Sequence, residues 1–237
     1  MRALFLPCGD QALSVQLGDA IDAGVNARVV ALAEALAARA APGVTDIVPT
    51  YRALLVCYDP EIMRGAALEG LLRDLLAVPA PAAARGRLWR VPCLYGGAVG
   101  QDLDAIAGAK GLTPEAVIAL HAGADFRVHM IGFSPGFAYL GGLPEALHMP
   151  RLPVPRQRIE AGAIGIGGQQ GSISAVAGPS GWRFVGRTPL RAFDPGRAEP
   201  FLFRAGDRIR FYPITEAEAR VLDARVAAGD TIIEAGP

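Results

Sequence analysis

AGAIGIGGQQG, residues 161–171, admits two architectures. Read as G-x-G-x-x-G it would be the first turn of a dinucleotide-binding βαβ unit. Gly165 and Gly167 fit, but the third position holds Gln170, with Gly171 one place late. No acidic residue follows at the expected distance, and the flanks read as β rather than βαβ. The alternative is a barrel strand in which glycines mark bends or close backbone approach. The neighbouring segments decide for the barrel. From residue 125 onward short apolar runs, RVHMIGF, SISAV, WRFVG and RIRFY, recur between glycines and prolines, the texture of a closed β structure.

Upstream the pattern differs. QALSVQL at 11–17 alternates as a half-buried strand. Val25, Val29, Leu32 and Leu36 follow at helical spacing within 21–40, a helix that Pro42 and Gly43 end. Strand-like runs lie at 44–48 and 52–58, and a leucine-rich helix at 61–77. The order β-α-β-β-α, with a closing strand at about 87–93, predicts a small ferredoxin-like α/β domain. VPAPAAARGR at 78–87 has the composition of a linker. The fold class expected is therefore α+β, with an N-terminal α/β domain over 1–85 and a β-barrel domain over 86–237. Two short helices are predicted at 102–109 and 114–122, the second capped by Thr113 with Pro114 in its first turn. A last helix starts at Thr215, with Glu218 completing a capping box.

Composition narrows the function classes. The 237 residues are 51% hydrophobic, and Lys+Arg and Asp+Glu both number 23, so there is no basic excess for nucleic acid. The helix pair DLDAIAGAKGLTPEAVIALH has the size of a helix-turn-helix but few cations on its second helix, which favours a structural role. No apolar run has the length of a membrane span. The start, MRALFLPCGDQ, lacks a cleavage-site pattern, and cytoplasm is the expected location. Cys8, Cys57 and Cys93 are far apart, and neither they nor His121, His129 and His148 have metal-ligand spacing, so no metal site is expected.

GFSPGFAYLGGLP at 132–144 satisfies the G-x-S-x-G pattern at Ser134. A nucleophile elbow, however, takes an oxyanion donor from the residue after the serine, and Pro135 has no N–H. The loop reads better as a pocket wall, with Phe133, Phe137 and Tyr139 on a glycine–proline frame. Arg151, Arg156 and Arg158 in PRLPVPRQR, with Arg183 and Arg187 in GWRFVGRTP, are singly turn charges and together an anion-recognition set. Gln169 is either a ligand contact or the tip of a surface hairpin. His121, after AVIAL, is either buried or near a helix end.

YGG at 95–97, GQDLDAIA, GLTPEAVIALH, GFSPGFAYLGGLP, the paired PR dipeptides, AGAIGIGGQQ and GPSGWRFVGRTPLRAFDP occur in one order at close spacing. This set resembles the family of 5-oxoprolinase B subunits, also described as KipI-like or allophanate hydrolase subunit 1. The resemblance implies a cyclophilin-like barrel and partners like the C and A subunits of 5-oxoprolinase. It also implies ATP, with magnesium, used by the complex to open 5-oxoproline to glutamate. On that basis Arg156, Gln169 and Arg187 are the expected catalytic residues. Arg151, Phe133, Phe137, Tyr139, Trp182 and His121 are the expected substrate contacts. Ala98 stands where the family often has an acidic residue, and QQGSISAVAGPSG replaces its QTGIYP-type run. The second change resembles relatives tied to urea or allophanate and carboxyl transfer. Two alternatives follow: part of a carboxyltransferase module that takes a urea-like amide, or a KipI-like inhibitor of a sensor histidine kinase. Prolyl isomerisation would rest on fold analogy alone.

Overall fold

In the computed structural model, which describes residues 3–78, 86–233 and 235–236, the chain divides into two units, Met1–Arg85 and Gly86–Pro237. The centre of the expected linker, 79–85, lies outside the described residues.

In the first unit β1 (Leu4–Pro7) and β2 (Ala12–Gln16) form a hairpin. They are followed by α1 (Ala23–Arg39), β3 (Val44–Pro49), β4 (Ala53–Tyr58) and α2 (Gly65–Ala77). The sheet is antiparallel in the order β1-β2-β4-β3. Asp22 caps α1 by accepting the Val25 N–H at 2.8 Å. Val29, Leu32 and Leu36 of α1 and Leu68 and Leu72 of α2 form one buried cluster with Leu13, Val15, Leu54 and Val56 of the sheet. The helical and strand periodicities thus converge on a single core. The closing strand expected from 87–93 is not in this sheet. Its edge position beside β2 is filled by β1, from the N-terminal side, and residues 88–95 pair elsewhere.

The second unit begins with β5 (Leu88–Tyr95), then α3 (Leu103–Lys110) and α4 (Pro114–Ala122), the predicted helix pair. Thr113 Oγ accepts the Ala116 N–H as anticipated. Next come β6 (Phe126–Ile131), β7 (Ala138–Gly141), β8 (Arg156–Ile159), β9 (Ala163–Gly167) and β10 (Gln170–Ile173). The unit ends with β11 (Gly178–Ser180), β12 (Arg183–Arg187), β13 (Arg208–Pro213), α5 (Glu216–Ala227) and β14 (Ala235–Gly236). Among the described residues the barrel runs β12-β9-β10-β7-β6-β13-β5 and closes by pairing β5 with β12. The pair β5–β13 is parallel and the others are antiparallel, while β8 and β11 form a separate ribbon. The capping box at Thr215 and Glu218 is present.

Closure depends on close backbone contact. At the seam Gly186 faces Tyr95 and Arg187 faces Leu94. A Cβ on Gly186 would lie 2.4 Å from the Leu94 carbonyl oxygen and 2.8 Å from Cys93 Sγ. At the other end of β5 the buried Asp207 carboxylate accepts Arg87 Nε at 3.0 Å, Arg87 Nη2 at 2.7 Å and Trp89 Nε1 at 2.9 Å. It also accepts the Arg204 N–H at 2.9 Å, so one carboxylate ties β5 to the turn before β13.

His121, one of the expected substrate contacts, takes the buried of its two readings. It is fully buried in the barrel core, its ring 5.0 Å from that of Phe126 and 4.8 Å from that of Phe211, with Nδ1 2.8 Å from Tyr95 Oη. Burial pushes its pKa down to about 3. The unfolded chain therefore binds the proton first, at about pH 6.5. Stability is expected to hold above that pH and to fall as pH drops from 6.5 towards 3. Urea unfolding across this window should show a shallower pH slope in His121→Phe. Gly186→Ala is expected to cost about 3 kcal/mol in the same assay, because its Cβ meets a backbone oxygen that has no room to move.

Candidate functional site

In the stretch 161–171, Gly162 and Gly168 sit in turns at φ 82° and 64°, while Gly165 and Gly167 lie within β9 and serve close packing. Along β9, Ile164 and Ile166 point into the barrel core, while Ala163, Gly165 and Gly167 face outward. A Cβ on Gly165 would lie 3.1 Å from both Phe184 Cε1 and Trp182 Cβ, and one on Gly167 would lie 2.8 Å from Trp182 Cε3. Removing side chains from every second position makes a flat bed on which two aromatic side chains lie.

On that bed an aromatic patch assembles. Phe137 and Tyr139 pack at 4.7 Å between centroids, with Trp182 at 5.9 and 6.0 Å from them respectively. Phe133 meets Phe137 edge-on at 5.7 Å. The Arg151 guanidinium lies 4.5 Å from the Trp182 ring centroid, within cation–π range. Burial raises the Tyr139 pKa, opposed by the Arg151 charge, so its hydroxyl stays protonated at neutral pH. Five of the expected contacts, Arg151, Phe133, Phe137, Tyr139 and Trp182, are therefore brought together.

The expected catalytic arginines do not join them as one cationic fringe. Arg156 Nη2 is 2.7 Å from Asp102 Oδ1, and its Nη1 donates to the Trp182 carbonyl at 3.3 Å. Asp102, 5% exposed, also accepts the Phe184 N–H at 2.7 Å and donates its own N–H to the Phe184 carbonyl at 3.0 Å. Arg156 and Asp102 are thus a clip that holds β8 and the segment before α3 against β12. Arg187 makes a two-pronged pair with Asp223 of α5, at 3.0 and 2.6 Å. It stands five residues along the chain from Trp182, about 16 Å in an extended strand. There it lines a separate cavity of about 90 Å³ with Ala98, Gln101, Glu160 and Phe184. Gln169 is exposed at the tip of the β9–β10 hairpin, after Gly168 at φ 64°.

Ser134 lacks the surroundings of a nucleophile among the described residues. It lies in the turn between β6 and β7, where its carbonyl accepts the Phe137 N–H at 3.1 Å. His121 and His129 are buried, and His148 Nε2 is 3.0 Å from the Leu143 carbonyl oxygen. The residues that sequence reasoning missed are Asp102, Asp207 and Asp223. Their partners lie 54, 120 and 36 positions away, and no local pattern signals such pairs.

The sequence matches the family model described as carboxyltransferase domain, subdomain C and D, over residues 3–203. A protein of Escherichia coli O157:H7 named as the B subunit of 5-oxoprolinase is 38% identical over 216 residues, 91% of this chain and 98% of that protein. One of the same name from Bacillus subtilis is 34% identical, covering 89% of this chain and 92% of that one. Among solved structures, TTHA0988 is 38% identical with a TM-score of 0.78 over 86% of this chain, which spans only 40% of that longer chain. The Kluyveromyces lactis urea carboxylase, 20% identical at a TM-score of 0.83 over 99% of this chain, shares the fold.

Arg156→Ala is expected to lower unfolding stability by about 3 kcal/mol, because it leaves the buried Asp102 carboxylate without its cation. Arg187→Ala, whose partner Asp223 is 42% exposed, should cost less than about 1 kcal/mol. Parallel urea titrations of the two variants measure the difference.

Proposed function

The chain belongs to the family of carboxyltransferase domains, subdomain C and D, and from that premise we propose that it is the B subunit of an ATP-dependent 5-oxoprolinase. One observation carries the reading: the likeness to proteins named as 5-oxoprolinase B subunits covers nearly all of both chains, so it includes both units and not the barrel alone. The chain also spans less than half of TTHA0988. That supports a division in which this chain supplies part of a larger machine and partners like the C and A subunits of 5-oxoprolinase supply the rest.

The chemistry assigns this chain a limited task. A lactam is a resonance-stabilised amide, and its ring carbon becomes open to water once its oxygen is phosphorylated. ATP, with magnesium, supplies that activation when bound to the complex. Arg156 and Arg187 are committed to Asp102 and Asp223, so neither guanidinium is spare for a phosphate. The aromatic patch instead offers apolar walls for a small ring, and Arg151, exposed on Trp182, offers a cation for a carboxylate. Gln169, exposed at the tip of the β9–β10 hairpin, keeps its proposed role towards substrate, whereas Arg187 is held by Asp223.

The second reading, part of a carboxyltransferase that takes a urea-like amide, is favoured by the description of the family model. Co-expression with the C and A partners separates the two. The proposed function requires 5-oxoproline-dependent phosphate release from ATP. Bicarbonate-dependent carboxylation of urea, with no response to 5-oxoproline, would overturn it. Within the active complex Arg151→Ala is expected to lower kcat/KM by about tenfold, mainly through KM.

A further inference from the structure

One wall of the barrel gathers arginines that the fold leaves without enough carboxylates. Along β13 Ile209 and Phe211 point into the core, so Arg208 and Arg210 point outward. Arg127 alternates outward between Phe126 and Val128 of β6, and Arg90 between Trp89 and Val91 of β5. Register sets them side by side, with Arg208 directly opposite Arg127 and Arg210 directly opposite Arg90. Lys+Arg and Asp+Glu both number 23 in the whole chain, so the excess is local.

Asp125, the residue before β6, bonds Arg210 through both carboxylate oxygens and lies 4.0 Å from Arg208 Nη2. Asp207 is close enough to act on the charge of Arg127, but its carboxylate already accepts Arg87, Trp89 and the Arg204 N–H. Arg127 is half-buried, and its Nε is sealed from solvent with no hydrogen-bond partner among the described residues. Its terminal nitrogens are not sealed in this way. Burial and the neighbouring Arg208 both work against its charged form, and Asp207 opposes them.

This arrangement is costly. Side chains directly opposite on paired strands have Cβ atoms about 4.5–5.5 Å apart, and like charges there destabilise the sheet. A partly desolvated guanidinium without an ion pair adds to that cost. An anion held between the two guanidiniums removes both costs. Each guanidinium fork presents parallel N–H donors that match the oxygens of a carboxylate or a phosphate. A carboxylate offsets one of the two charges, whereas a phosphate dianion offsets both.

We propose that Arg127 and Arg208 form a binding site for a phosphate-class dianion on the outer wall of the barrel. The terminal nitrogens of Arg127 and the guanidinium of Arg208 donate to its oxygens, and Arg90 and Arg210 add to the positive field around it. The site is separate from the aromatic patch and rests on neither ATP nor 5-oxoproline.

The test is calorimetric titration of the full chain at about pH 8, where phosphate is chiefly the dianion, with chloride holding the ionic strength constant. Inorganic phosphate should bind saturably and raise Tm, and acetate should do neither. Arg127→Gln should weaken phosphate binding about tenfold or more, the loss of a charge-assisted hydrogen bond. In chloride alone its Tm should equal or exceed that of the parent, because a repulsion has been removed. Arg208→Gln should weaken binding to a similar degree. Arg158→Gln, at an exposed pair with Glu160, should leave binding unchanged. Phenyl phosphate separates two sources of the dianion. Affinity equal to that of inorganic phosphate points to the free ion, and tighter binding that still requires Arg127 points to a phosphate ester. Absence of saturable binding, an equal response to acetate, or phosphate affinity unchanged in Arg127→Gln and Arg208→Gln would each overturn the proposal. The titration uses neither partner chains nor ATP, so its failure leaves the proposed function standing.

Discussion

The barrel exists because one short seam closes it. Two residue pairs, Gly186 with Tyr95 and Arg187 with Leu94, join the ends of a sheet that would otherwise expose two edges. The approach is tight enough that glycine is required at 186. Nearby, Asp102 reinforces the same strand, pairing with Phe184 through both its backbone N–H and its carboxylate. Arg156 then satisfies the remaining charge. The outer face of β12, with Trp182 and Phe184, is held in place by these contacts, and the aromatic patch is built on that face.

This order of dependence changes the meaning of the arginines. A guanidinium that neutralises a buried carboxylate holds structure and has little charge left for a ligand. Arg156 is of this kind, and Arg187 shares its charge with Asp223. Arg151, laid on an indole ring at the surface, retains a cation in reach of solvent. The chain therefore presents apolar walls, hydroxyls and one well-placed cation beside them. That composition is the basis for the proposed role in holding a small ring.

Much of the architecture was legible because it rests on local periodicity. The two helices of the first unit, the capped pair α3 and α4, the capping box of α5 and the barrel strands all follow from spacing and cap chemistry. The closing strand of the α/β sheet was misplaced for an equally clear reason. LFLP at 4–7 and LWRVPCLY at 88–95 are both credible edge strands, and pattern alone does not say which one β2 accepts. In the site, the aromatic loop and Trp182 were legible as a group. His121 had two readings, and packing against Phe126 and Phe211 chose the buried one.

The sequence by itself determined the element types, the α+β class, the family and the aromatic character of the site, because each is written in neighbours a few residues apart. Tertiary structure alone decided which charges are spent and which polar groups are spare. Asp102 meets Arg156 across 54 residues and Asp207 meets Arg87 across 120, while the Ser174 hydroxyl meets no partner among the described residues. The energy of a charge or hydroxyl is set by what lies within a few ångströms of it, and chain order does not encode that distance.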